Sequence, residues 1–137
     1  MHAEAMMSTH PKVRGDVDPV LIRCIEACLD CEQVCRSCAD ACLAEDTVTM
    51  LRQCIRLDLD CADLCSAVAA IMSRRTGSND EVLKHLVDTC AEACRICADE
   101  CKKHGDRHEH CKVCAETCRD CERACREASP AILLPKQ

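Results

Sequence analysis

The sequence contains no phenylalanine, tyrosine or tryptophan, and only 3 glycines and 4 prolines among 137 residues. Without aromatics, the bulkiest fillers of an ordinary core are missing. Scarce glycine and proline exclude a loop-rich or collagen-like chain and leave long stretches free of helix breakers. Long apolar runs are also absent: the longest aliphatic run, Ala67 to Met72, falls far short of the ~20 residues of a membrane span. The opening MHAEAMMSTHPKVRGDVDP has no apolar segment of the kind that marks a signal peptide, so the expected compartment is cytoplasmic, with no membrane partner. A net charge of −6 with no basic stripe argues against nucleic acid and for a soluble acidic exterior. No Ser/His/Asp arrangement or glycine-rich phosphate loop appears, so no enzyme is expected.

What is present is cysteine, 18 residues of it. Residues 24–42 read CIEACLDCEQVCRSCADAC, a thiol at every third or fourth position. The punctuation divides the chain into an N-terminal arm at 1–17, a helical domain at 18–128 and a tail at 129–137. Asp18-Pro19 predicts an N-cap followed by proline at the first helical position, opening a helix to about Leu43. Glu45 and Asp46 open a second that reaches about Arg74, and Thr76-Gly77 is its stop. Ser78 to Glu81 forms a capping box for a third helix that ends near His104-Gly105. Asp106, with Glu109 three residues on, caps a fourth that Ser129-Pro130 ends. Short connections make successive helices antiparallel, so the expected fold is all-α, an up-down four-helix bundle.

On the first of these helices lie Cys24, Cys28, Cys31, Cys35, Cys38 and Cys42; on the second Cys54, Cys61 and Cys65; on the third Cys90, Cys94, Cys97 and Cys101; on the fourth Cys111, Cys114, Cys118, Cys121 and Cys125. Steps of three and four alternate, with one step of seven, so the thiols occupy the seam that faces a bundle axis. Glu26, Asp30, Glu32, Arg36, Asp40, Arg95, Asp99, Glu116, Arg119 and Glu122 lie between them and suit a solvated face. The core is therefore cysteine-lined.

One or two inward cysteines are ordinary core, since a free thiol behaves as a small hydrophobe. Eighteen leave the axis underfilled, and a residual void costs roughly 24 cal/mol per Å³ in a rigid core. Disulfides between successive helical turns need a narrow geometry, and a reducing compartment disfavours them. Metal fits better. Zn²⁺ takes four thiolates and leaves a buried net charge of −2; iron–sulfur clusters use loop-borne cysteine runs. A soft monovalent ion such as Cu(I) is selected by thiolates, and one per thiolate leaves the interior neutral. Side chains four apart on a helix stand ~5–6 Å apart at Cβ, so pairs such as Cys24/Cys28, Cys31/Cys35, Cys61/Cys65, Cys90/Cys94 and Cys114/Cys118 read as two-sulfur clamps. A zinc or mixed-metal thiolate buffer and a thiol redox protein remain as alternatives.

Cysteine stripes on all four helices, with CxxxC and CxxC alternating over residues 18–128, make the sequence similar to the bacterial cytosolic copper storage proteins. The resemblance implies a four-helix bundle that loads many Cu(I) ions for storage or buffering, and a homotetrameric assembly. The second helix, with only Cys54, Cys61 and Cys65, is thinner than that pattern. Copper would arrive on a small thiol or a metallochaperone.

Extending the stripes shows that the two ends differ. Val17, Leu21, Val68, Met72, Leu83, Val87, Ala128 and Ile132 gather at one end as an apolar plug. Cys42, Cys54, Cys101 and Cys111 gather at the other, where His104 keeps the stripe's phase and His108 and His110 follow in the turn. Imidazole ligates copper and is often neutral near pH 7, so this end is the expected port, set against ordinary loop histidines. Asp58 sits in phase between Cys54 and Cys61. It either faces the thiols and orients a mouth histidine, or turns outward while Leu57 takes the seam. Met50 near the port is read as packing rather than as a thioether ligand. Met6, Met7, His2 and His10 lie in an arm with no usable signal, and Ala131 to Leu134 form an apolar cover for the plug or a neighbouring subunit. Ile55, Leu59 and Ala62 form an apolar strip suited to subunit contact.

Overall fold

The computed structural model describes residues 1–132. A short helix α1 (Ala3–Ser8) precedes four long ones: α2 (Pro19–Leu43), α3 (Arg52–Met72), α4 (Asp80–Lys102) and α5 (Glu109–Ala128). No strand occurs among the described residues. Each long helix packs on its neighbours in sequence, and α2 closes the ring against α5. That is the antiparallel up-down bundle the short connections imply. No helix among the described residues is long and apolar enough to cross a membrane.

The start of α2 follows the expected chemistry: the Asp18 side chain accepts from the Val20 N–H at 2.9 Å, with Pro19 at the first position. After α3 the chain reverses at Gly77, whose φ of +70° is strained for residues with a Cβ. The other starts fall later than the sequence signals indicate. Glu45 and Asp46 lie in turns rather than in a helix, and a 3₁₀ turn over Val48–Leu51 leads into α3. Asn79, not Ser78, stands at the N-cap of α4, with no side-chain cap bond, so the Ser78/Glu81 box does not form. Asp106 is spent in a tight turn in which the His108 N–H reaches the His104 carbonyl at 3.0 Å, and His108 becomes the N-cap of α5. Before α3 and α5 the connection takes local turn bonds before the helix begins, whereas before α4 the chain passes through bends at Thr76 and Gly77.

The inner seam carries every cysteine. Flanking alanines at 39, 62, 91, 98 and 115 are buried as well, which lets thin-walled helices approach closely. Leu21, Val68, Met72, Leu83, Val87, Ala128 and Ile132 are buried together at one end, with Val17 packed beside them, forming the apolar plug. Outward carboxylates and arginines pair along and between helices, as in Arg56–Asp60 at 2.8 Å and Arg126–Glu92 at 3.4 Å. Exposed pairs of this kind contribute about 0.2–1 kcal/mol each; the fold depends on its interior.

The arm is ordered more than its composition indicates. Met7 is buried, and His10 Nε2 meets the Thr76 hydroxyl at 3.3 Å. Leu133 and Leu134 of the apolar tail lie outside the described residues. Because the plug is conventional core, Leu83→Ala should lower the stability of the metal-free protein by about 2–4 kcal/mol in urea denaturation. Val113→Ala, on the 45 % exposed face of α5, should change it by less than about 0.5 kcal/mol.

Candidate metal centre

All 18 cysteines are free thiols and buried, none more than 2 % exposed. Their sulfurs line one axis from plug to port. Nearest the plug, Cys24 and Cys125 stand 3.8 Å apart and Cys28 and Cys121 3.7 Å. Further along come Cys65–Cys90 at 3.7 Å, Cys61–Cys94 at 3.6 Å and Cys35–Cys118 at 3.6 Å. Cys54–Cys101 at 3.3 Å and Cys42–Cys111 at 3.9 Å lie nearest the port. All of these contacts run between helices. Of the expected clamps, Cys31/Cys35 has its sulfurs 3.7 Å apart within one helix, and each of these thiols also faces Cys118 on α5.

Sets of four sulfurs lying within 4.8 Å of one another recur along the axis: Cys28, Cys90, Cys121, Cys125; then Cys31, Cys65, Cys94, Cys121; then Cys31, Cys35, Cys61, Cys118; then Cys35, Cys97, Cys114, Cys118; then Cys38, Cys42, Cys54, Cys111. Taken singly, each suits a tetrahedral metal, which the unbroken stripe does not by itself indicate. Yet the sets share members: Cys31, Cys35, Cys118 and Cys121 each belong to two. Metal–sulfur bonds of about 2.3 Å place two opposed sulfurs about 4.6 Å apart and three coplanar ones about 4.0 Å apart. Four tetrahedral sulfurs stand about 3.8 Å apart by the same reckoning, so close pairs at 3.6–3.9 Å fit tetrahedral and trigonal sites alike, and the sharing of thiols is what separates the two.

Asp58 interrupts the sulfur lining. It is fully buried and faces inward, while Leu57 is only partly buried. Its Oδ1 accepts from the thiols of Cys97 at 3.1 Å, Cys114 at 3.2 Å and Cys101 at 3.4 Å. It bonds thiols and not a mouth histidine. Burial, with the charges of Cys114 and Cys54 adding to it, pushes its pKa up to about 8.

At the histidine end, one residue that sequence reasoning passed over organises the rest. Glu45 Oε2 accepts from His108 Nδ1 at 2.7 Å and from His110 Nε2 at 2.9 Å. These contacts, the His110 bond above all, hold the carboxyl below its usual range. His110 Nδ1 faces Cys38 Sγ at 3.4 Å and Cys111 Sγ at 3.6 Å. His108 Nε2 meets the Thr47 hydroxyl at 3.4 Å, so both its ring nitrogens are engaged. His104 Nε2 bonds Glu100 at 3.0 Å, and its charge helps to lower the pKa of Cys54, whose main stabilisers are Cys101 and Cys38. The signal for Glu45 was present: it falls three residues after Cys42, in phase with the stripe, as His104 follows Cys101. Met50 is 62 % exposed and is neither core nor turned to the thiols.

A model of the copper storage protein family matches residues 19–130. The copper storage protein Ccsp from Streptomyces lividans, solved loaded with 10 copper equivalents, is 50 % identical with a TM-score of 0.89, covering 93 % of this chain and 98 % of its own. A second structure, of copper loading to a cytosolic copper storage protein from Streptomyces lividans, is 53 % identical with a TM-score of 0.79 and covers 81 % of this chain and 92 % of that one. The Cu(I)-bound copper storage protein of Bacillus subtilis is 42 % identical with a TM-score of 0.67, over 75 % of this chain and 92 % of that one.

An unfolded aspartate loses its proton near pH 4, whereas folded Asp58 keeps it to about 8. Between these values folding takes up a proton, so this residue costs stability that grows as pH rises. Asp58→Asn should therefore stabilise the metal-free protein by on the order of 5 kcal/mol at about pH 7.5. The gain should shrink to nothing by about pH 4, as followed by denaturant titrations across that range.

Proposed function

This chain belongs to the copper storage protein family, and from that premise we propose that its cysteine channel holds many Cu(I) ions as a cytosolic reserve, filled and emptied through the histidine end. The observation that carries this reading is the sharing of thiols between successive four-sulfur sets. Shared sulfurs suit a metal that accepts bridging thiolates, and they deny isolated tetrahedra their own ligands. Charge supports the same choice. Zinc at one per four thiolates leaves the core strongly negative in a place where unpaired charge is costly. Cu(I) at one per thiolate cancels it.

The geometry supports one loading route. Copper arrives on a small thiol or a metallochaperone and exchanges onto His110, the imidazole whose Nδ1 stands beside Cys38 and Cys111. Cys42 and Cys54 complete that outermost set, and transfer proceeds from one sulfur set to the next toward Cys24 and Cys125. The apolar plug closes the far end, so entry and exit share one port. His104 and His108 flank it, and Asp58 marks the first hard, oxygen-bearing step inside. The reserve needs no catalytic step. The exposed Leu59, beside Ile55 on α3, offers a contact for the homotetramer that the family resemblance implies.

An anaerobic titration of the reduced protein tests the reading. Cu(I) should saturate near one ion for each of the 18 thiols, and Zn²⁺ near one for every four. Each Cu(I) displaces thiol protons, so uptake should acidify an unbuffered solution and affinity should weaken as pH falls from about 8 to 5. The loaded protein should melt well above the metal-free form, because metal ties four helices together. Saturation at a few Cu(I) per chain, or equal melting temperatures, would overturn the proposal.

A further inference from the structure

Glu45 stands in the connection between α2 and α3, whereas His108 and His110 open α5. One carboxylate oxygen therefore ties together the two connections that border the port, at 2.7 Å to His108 Nδ1 and 2.9 Å to His110 Nε2. The two imidazoles stack with centroids 5.6 Å apart and planes 23° from parallel. A carboxylate accepts hydrogen bonds and does not donate them. A neutral imidazole carries one N–H and one lone pair, and a bond at one nitrogen settles the other. His108 must then carry its proton on Nδ1, which leaves Nε2 to accept from the Thr47 hydroxyl. His110 must carry its proton on Nε2, which leaves the Nδ1 lone pair aimed at the thiols of Cys38 and Cys111.

We propose that Glu45 is a positioning residue for copper transfer: it anchors His108, and it holds His110 with Nδ1 turned into the channel as the hand-off ligand to Cys38 and Cys111. The inference rests on the histidine end being the port and assigns the roles within it. His108 has both nitrogens occupied and acts as a strut. His110 alone among the three mouth histidines has a ring nitrogen within hydrogen-bonding distance of a thiol. Without Glu45 the His110 ring loses the bond that orients it, and its lone pair spends part of its time facing solvent. Copper then finds the first pair of sulfurs less often. The channel beyond is untouched, so the effect falls on rate and not on capacity.

The test compares wild type with Glu45→Ala and Glu45→Gln, using the Cu(I) complex of bicinchoninate as donor. Glu45→Ala should slow initial transfer on the order of 10-fold, the lower range for losing a group that orients a metal ligand. Total copper bound and the metal-free melting temperature should stay at wild-type values. Glu45→Gln keeps an accepting oxygen and should recover part of the rate. Long-range ¹H–¹⁵N spectra of the metal-free protein provide the second readout. In wild type His108 should show the Nδ1–H form, which an unrestrained imidazole in water disfavours, and in Glu45→Ala it should revert to Nε2–H. A wild-type rate in Glu45→Ala, a slowed rate with the His108 tautomer unchanged, or a matching loss of capacity would each overturn the proposal. His110→Ala, run in parallel, keeps the two readings apart. If it loads at the wild-type rate the port itself is misplaced, while the tautomers still report whether the carboxylate clamp exists.

Discussion

Charge in the interior is the constraint on which this structure depends. A thiol binds metal as a thiolate, and 18 of them converge on one axis. An interior so lined tolerates deprotonation only where a cation arrives with each charge. Two arrangements keep the core close to neutral: protons on sulfur, and a monovalent metal in their place. Everything between these is costly, which couples metal uptake to proton loss and makes metal part of the core. The missing aromatics follow from the same requirement, because a bulky side chain on the axis would occupy space that ions and bridging sulfurs need.

The two ends of the axis differ in chemistry. At one end Val68, Met72, Leu83 and Val87 pack as an ordinary apolar core and supply stability that does not depend on metal. At the other, imidazoles and carboxylates replace aliphatic side chains, and the first thiols meet a nitrogen instead of a hydrocarbon. Asp58 lies between the port and the deeper sulfurs, touching Cys97, Cys101 and Cys114. A carboxyl held protonated among thiols costs the metal-free fold stability. Its position, one layer inside the port, is where a break in the run of soft ligands would bear on every ion that passes.

How much of this was legible in the residues alone varied with the range of the interactions. The cysteine stripe placed all 18 thiols on the inner seam, because helical periodicity is local and its repeat was unbroken. The plug was legible for the same reason, by extending each stripe past its last cysteine. Helix starts were less so: Ser78 and Asp106 carry capping chemistry, yet the caps stand at Asn79 and His108, the second after a turn bonded between His108 and His104. Within the port, His104 keeps the stripe's phase but bonds Glu100, while His110, one residue before Cys111, presents its nitrogen to the thiols.

By itself the sequence determined that four helices would turn sulfur inward and that a soft monovalent ion would suit the result, because both follow from spacing within a helix and from the chemistry of one side chain. Only the tertiary structure decided which sulfurs form sets, that most of the close pairs span two helices, and that Glu45 reaches across from a different connection to hold His108 and His110. These depend on the relative rotation of the helices and on the path of the loops. Both are set by packing between segments far apart in the chain, and a repeat of three and four within one segment carries no record of them.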